Sequence, residues 1–216
     1  MPSPDRLIIS SLDLPWLWLA LAYVLGALPF AVWVGRRAGT DPRRSGSKNP
    51  GASNVARTAG KGWGLITLCL DALKGALIPS LIMSGYLISE AAPIEGQERL
   101  RMGLDLSEWA ALAGVFGVLG HVTSPFLGFR GGRGVATALG AMGALHIGLA
   151  GLGVFVWVTV LMLSRTPAWS SLALALSFVV FSHSPSVSDA VRLFSICAST
   201  IIVVRHWGHL KRLLVG

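Results

Sequence analysis

Charge is scarce in this chain. Only 13% of its 216 residues are charged and 53% are hydrophobic; ordinary soluble domains carry roughly one quarter charged residues, so water is not the main solvent here. Acidic residues are scarcer still, with 10 Asp and Glu against 18 Lys and Arg, for a formal charge of +8. Such a balance fits either nucleic acid or a membrane protein with basic cytoplasmic loops, and the placement of the charges decides between them. Cysteine is limited to Cys69 and Cys197, each inside an apolar stretch. That excludes a disulfide framework and leaves both as small packed side chains. The start of the sequence makes a poor secretory leader: the first thirteen residues contain Asp5, Arg6 and Asp13, and no small-residue cleavage site stands out after the first apolar run, so that run is expected to stay as an anchor. What is present is glycine. The 26 glycines are spread through apolar runs rather than gathered in linkers, as close helix packing in lipid demands. A single domain over residues 1–216 is the natural reading.

Residues 14–34 carry no charge and, at roughly twenty residues, suffice to cross a hydrocarbon core as a helix, with Trp16 and Trp18 suited to an interfacial belt. Residues 35–62 turn polar and read as an ordered loop. A second span is expected over 64–87, followed by an acidic segment over 89–107 with Glu90, Glu95, Glu98 and Asp105. A short third span over 108–119 leads to a second polar stretch, 121–134. The apolar region 135–163, interrupted only by His146, reads as two short spans broken near 148–153. A turn at 165–169, a further span beginning over 172–181, a last span over 190–204 and a basic tail from 205 complete the chain. No internal repeat is visible.

The charges test this threading independently. One side receives Arg36, Arg37, Arg43, Arg44, Lys48, Arg57, Lys61, Arg130, Arg133, Arg165, Arg205, Lys211 and Arg212, and the other only Arg6, Arg99, Arg101 and Arg192. By the positive-inside rule the first side is cytoplasmic, which favours a membrane over nucleic acid as partner. The expected fold class is therefore an all-α, polytopic membrane bundle of about seven short transmembrane helices, N-terminus outside and C-terminus cytoplasmic. A five-span version keeps the same orientation.

Two polar stretches have the makings of phosphate sites. In the first, Gly46 and Gly51 permit tight backbone turns that aim N–H groups at an anion, Ser47, Asn49, Ser53 and Asn54 add neutral donors, and Arg57 offers a bidentate fork. A solvated, turn-rich loop is the alternative. In the second, glycines around Arg133 at the start of a helix combine backbone donors, a helix dipole and a guanidinium. An ordinary basic anchor is the bland version, and the spacing matches neither a Walker A loop nor a dinucleotide fingerprint. Asp71 and Lys74 lie three apart in an apolar span and must face the bundle interior, either as an internal ion pair or as a substrate contact. His206 and His209, also three apart, lack the Cys or carboxylate partners of a metal site.

These pieces together resemble a known family. The run Gly46-Ser47-Lys48-Asn49-Pro50-Gly51-Ala52-Ser53-Asn54-Val55-Ala56-Arg57, then Leu70-Asp71-Ala72-Leu73-Lys74-Gly75, then Gly120-His121 with Phe129-Arg130-Gly131-Gly132-Arg133-Gly134-Val135-Ala136-Thr137, and finally Arg205-His206 with Arg212-Leu213-Leu214 are similar, in order and spacing, to the bacterial membrane acyl-phosphate:glycerol-3-phosphate acyltransferases, the PlsY family. The resemblance implies seven short helices and an active site at the cytoplasmic face of the bacterial inner membrane. There acyl phosphate would donate its chain to the sn-1 hydroxyl of glycerol 3-phosphate, giving lysophosphatidic acid and inorganic phosphate. It implies catalytic roles for Ser47, Arg57, Arg133 and His206, and substrate contacts at those four and at Asn49, Gly51, Ser53, Asn54, Asp71, Lys74, His121, Arg130, Gly132, Thr137, Ser171 and His209. It implies a monomer in contact with membrane lipid, with no cofactor and no metal. The chain departs from the family pattern in having Arg at 130 and 133 where Lys is usual and His209 where Asn is usual.

The competing class is a small transporter or lipid-binding protein that uses Asp71 and Lys74 as an intramembrane relay. Its signature would be polar residues at mid-membrane depth, whereas nearly all polar residues here gather at one face. An acyltransferase built on a His with an Asp five residues later is disfavoured, because none of His121, His146, His183, His206 and His209 has that neighbour.

Overall fold

A computed structural model describes residues 15–84 and 104–214. The expectations for Asp5 and Arg6, for Glu90, Glu95 and Glu98, and for Arg99 and Arg101 lie outside the described residues. So does the side chain of His209.

All the regular structure among the described residues is helical: α1 Pro15–Ala27, α2 Phe30–Arg37, α3 Ala52–Ala59, α4 Lys61–Met83, α5 Leu106–Val122, a short 3-10 turn Pro125–Leu127, α6 Val135–Leu145, α7 Ile147–Ser164, α8 Pro167–Ser182 and α9 Asp189–Leu214. Five stretches are long and apolar enough to cross a bilayer, namely Trp16–Arg37, Lys61–Met83, Leu106–Leu127, Ile147–Ser164 and Asp189–Gly208, and two shorter apolar helices, Val135–Leu145 and Pro167–Ser182, pack with them. The outward surface suits lipid: Ile147, Met162 and Leu163 are 79%, 75% and 82% exposed, which water would not tolerate together with so many other bare aliphatic side chains.

Local chemistry explains where the helices stop. Pro29 has no N–H and pushes Leu28 out of the helical region, so the first span breaks into α1 and α2. The carbonyls at the break are satisfied from neighbouring helices: Ser124 Oγ donates to Ala27 O at 2.6 Å and Lys74 Nζ to Leu28 O at 2.8 Å. The apolar region after residue 134 breaks at His146, not at 148–153 as the glycines predict. His146 is extended, with φ −158° and ψ 94°, and its Nδ1 accepts the Leu149 N–H, so an imidazole rather than a glycine supplies the N-cap. Pro167 begins α8 from its first turn, where a missing N–H costs nothing, so Trp169 belongs to the helix and not to a turn. The loop expected over 35–62 contains α3, and the basic tail is not a separate segment: α9 runs unbroken to Leu214.

Small residues set the spacing. A Cβ on Gly75 would overlap the carbonyl of Thr137, and one on Gly140 the carbonyl of Ala72, so α4 and α6 touch backbone to backbone. One core cluster, centred on Phe178, Phe194, Met142 and Leu174, joins α5 through α9. A second joins α1, α4 and α5 around Trp109 and Ile78.

Candidate active site

The first polar loop is wrapped around one amide. Asn54, 2% exposed, accepts the Ser47 N–H at 2.8 Å and donates from Nδ2 to Pro42 O at 2.8 Å and to Ser45 O at 3.0 Å. Gly46 sits beside it at φ +59°, where a Cβ would strike Asn54 Oδ1, so glycine is required for both its conformation and its size. Both Nδ2 donors and the Oδ1 of Asn54 are thus engaged in shaping the loop. Ser47, Ser53 and Arg57 remain exposed and Asn49 and Gly51 half-buried, Gly51 being the N-cap of α3. Behind them Asp41 is gripped by Arg43, with Nη2 2.6 Å and Nε 3.0 Å from its oxygens. The Arg43 guanidinium holds this carboxyl far below the usual carboxylate range.

The second polar stretch folds back on the end of α5. Gly131 N donates to Val122 O at 3.1 Å and Gly132 N to His121 O at 3.2 Å. The two amides that the sequence pattern offers to an anion are therefore committed internally, and α6 starts just beyond them at Val135. Gly132 is a close-packing position: a Cβ there would run into His121 Nε2 and crowd the Pro50 carbonyl. Arg130 is exposed, Arg133 half-buried, and Thr137 is buried in the first turn of α6.

Asp71 and Lys74 do face the interior, at 1% and 4% exposure. Lys74 Nζ stands 2.8 Å from Asp71 Oδ1, donates to the carbonyl at the helix break and lies 5.5 Å from the centre of the Phe30 ring. On its other side Asp71 Oδ1 is 3.7 Å from His121 Nδ1. A small cleft is lined by Asp71, Lys74 and His121 together with Pro50, Ser124, Gly132 and the α1–α2 break. It brings the first loop, the ion pair and the second loop together.

The tail helix closes the arrangement. Arg205 Nη2 donates to Gly131 O at 2.9 Å and its Nε to Gly132 O at 3.2 Å. The next residue, His206, is 1% exposed and has Nδ1 2.8 Å from Ile202 O. A ring nitrogen facing a carbonyl must carry the proton, which leaves Nε2 of the neutral ring as an acceptor. Ser171 is placed elsewhere: it is buried between α7 and α8, donates to Pro167 O at 2.7 Å and receives Trp157 Nε1 at 3.4 Å. Sequence reasoning missed the Arg205 clamp, the Ser124 contact and Tyr23, whose hydroxyl reaches Thr123 at 3.1 Å. No periodicity or motif spacing separates these from an ordinary anchor or packing residue.

Among known proteins, the family model described as glycerol-3-phosphate acyltransferase matches residues 16–216. Curated relatives named glycerol-3-phosphate acyltransferase include one from Acaryochloris marina, 40% identical over 204 residues with 92% of this chain and 88% of the relative covered. Another, from Aromatoleum aromaticum, is 38% identical with 93% of each covered. Two crystal structures of PlsY, described as an integral membrane glycerol 3-phosphate acyltransferase, superpose on this chain. The glycerol 3-phosphate form gives a TM-score of 0.79 at 29% identity, covering 94% of this chain and 92% of that one. The lysophosphatidic acid form gives 0.78 at 28% identity over the same shares.

Proposed function

The chain belongs to the glycerol-3-phosphate acyltransferase family, and from that premise we propose that it acylates the sn-1 hydroxyl of glycerol 3-phosphate with acyl phosphate as donor, at the cytoplasmic face of a bacterial inner membrane. It is an integral membrane acyltransferase. The observation that supports the donor and the site is the meeting of the two phosphate-suited loops at one cleft, through Pro50 and Gly132, with Arg205 of the tail helix hydrogen-bonded to Gly131 and Gly132 behind it. Two phosphorylated substrates demand a gathering of guanidinium groups and N–H donors, and an acyl phosphate is already activated, so positioning and electrostatics suffice. In the step itself the sn-1 oxygen attacks the acyl carbon and the bond from that carbon to the phosphate oxygen breaks. The hydroxyl proton leaves with the departing group as hydrogen phosphate. Ser47, Arg57 and Arg133 bind phosphate oxygens, and His206 holds the acceptor hydroxyl. The protein works as a monomer without cofactor or metal.

Purified protein given acyl phosphate and glycerol 3-phosphate should form lysophosphatidic acid, and the same protein given acyl-CoA should not. Thiol released in step with product from acyl-CoA would refute the donor assignment. The orientation has its own test. With Cys69 and Cys197 removed, cysteines placed at positions 48 and 99 should react with impermeant reagents from opposite sides of the membrane. Labelling from one side alone would refute the threading.

A further inference from the structure

Arg205 contributes to the cleft without lining it. Its two donors on one edge, Nε and Nη2, take the carbonyls of Gly132 and Gly131 at 3.2 and 2.9 Å, a geometry that only a planar fork provides. The Gly131–Gly132 peptide is held at both ends, because its N–H belongs to Gly132 and donates to His121 O near the end of α5. The following peptide carries the Gly132 carbonyl and the Arg133 N–H on opposite sides, as a trans peptide must. Holding that carbonyl therefore fixes the direction of the Arg133 amide and the point from which the Arg133 side chain departs. On α9 the neighbour of Arg205 is His206, itself buried and tied to Ile202. One guanidinium thus sets the distance between the two groups assigned above to phosphate binding and to the acceptor.

We propose that Arg205 is a positioning residue for acyl transfer, which registers Arg133 against His206 by clamping the Gly131 and Gly132 carbonyls. This rests on the catalytic reading of the site given above. Positioning errors of about 1 Å cost on the order of a hundredfold in rate. Arg205→Ala and Arg205→Lys should therefore both lower kcat by about tenfold or more, with KM for each substrate held within about threefold. Lysine should not rescue, because an ammonium cannot span two carbonyls, whereas added methylguanidinium should partly restore the alanine variant. If Arg205→Ala does not fold, Arg205→Lys decides alone.

Two kinetic outcomes overturn the proposal. An unchanged kcat with a lowered melting temperature would make Arg205 an anchor. A raised KM for one substrate, rescued by lysine, would mean that Arg205 touches a phosphate itself. Hydrogen exchange separates the clamp from the chemistry: residues 128–134 should lose protection in Arg205→Lys. Unchanged protection overturns the clamp whatever the activity, while wild-type protein inactive with acyl phosphate overturns the catalytic reading instead.

Discussion

Lys74→Met should be the most damaging single substitution in the membrane interior, lowering stability by about 3–5 kcal/mol, the usual cost of stripping one partner from a buried ion pair. Lys74 Nζ satisfies both Asp71 Oδ1 and the Leu28 carbonyl at 2.8 Å. Asp71 is 1% exposed, so without its cation it must either stay charged in a low dielectric or take up a proton, and both are costly. Replacing both members should behave differently. In Asp71→Leu/Lys74→Met the stranded carboxylate is gone, and what remains is the neutral Leu28 carbonyl and the His121 ring beside the former carboxylate, so most of the loss should be regained. Thermal unfolding of the two variants in the same lipid or detergent reads the difference. If Lys74→Met melted with the wild type, the pair would border bulk water, and its burial beside the helix break would not describe the working protein.

That pair also shows what the sequence tells and what it withholds. A lone Asp and Lys three apart in an apolar span require an interior face on energetic grounds alone, and the interior is where they lie. The third contact, to Leu28, needs knowledge of a helix break on another element, and only the chain's three-dimensional path supplies it. The bundle was legible for the same reason as the pair, since long uncharged runs have few alternatives in lipid. Helix ends were less legible. At His146 the chain caps a helix with an imidazole, and at Arg205 it continues a helix into a stretch that charge density marks as a tail. Both depend on side chains whose partners are remote or unusual. The phosphate loops were half legible. Their glycines and basic residues were visible as a donor set, but which donors remain for a ligand depends on tertiary hydrogen bonds. Those bonds engage Asn54, Gly131 and Gly132 within the protein.

His206→Ala should remove most of the activity, by about a hundredfold or more if the side chain works as a positioned acid–base or orienting group. His206→Gln should retain appreciably more. The reason lies in the tautomer: Nδ1 donates to Ile202 O at 2.8 Å, so Nε2 is the acceptor atom of a neutral ring, the one that on the proposed reading meets the sn-1 hydroxyl. Glutamine can place an amide oxygen near that position and accept the same hydrogen bond, though it cannot take the proton. A His206 that orients the hydroxyl while the departing phosphate removes the proton therefore predicts a ranking of wild type, then glutamine, then alanine. It also predicts a pH–rate profile for the glutamine variant that keeps the shape of the wild type. General-base catalysis predicts the opposite pair of results: glutamine as inactive as alanine, and a wild-type rate that follows one ionisation near neutrality which disappears in the variant. His209→Asn, which restores the residue usual in the family pattern at that position, should leave kcat within a fewfold of the wild type under either scheme. A large loss there would mean that His209 has taken over part of the acceptor site, and the roles of the two histidines would then have to be divided again.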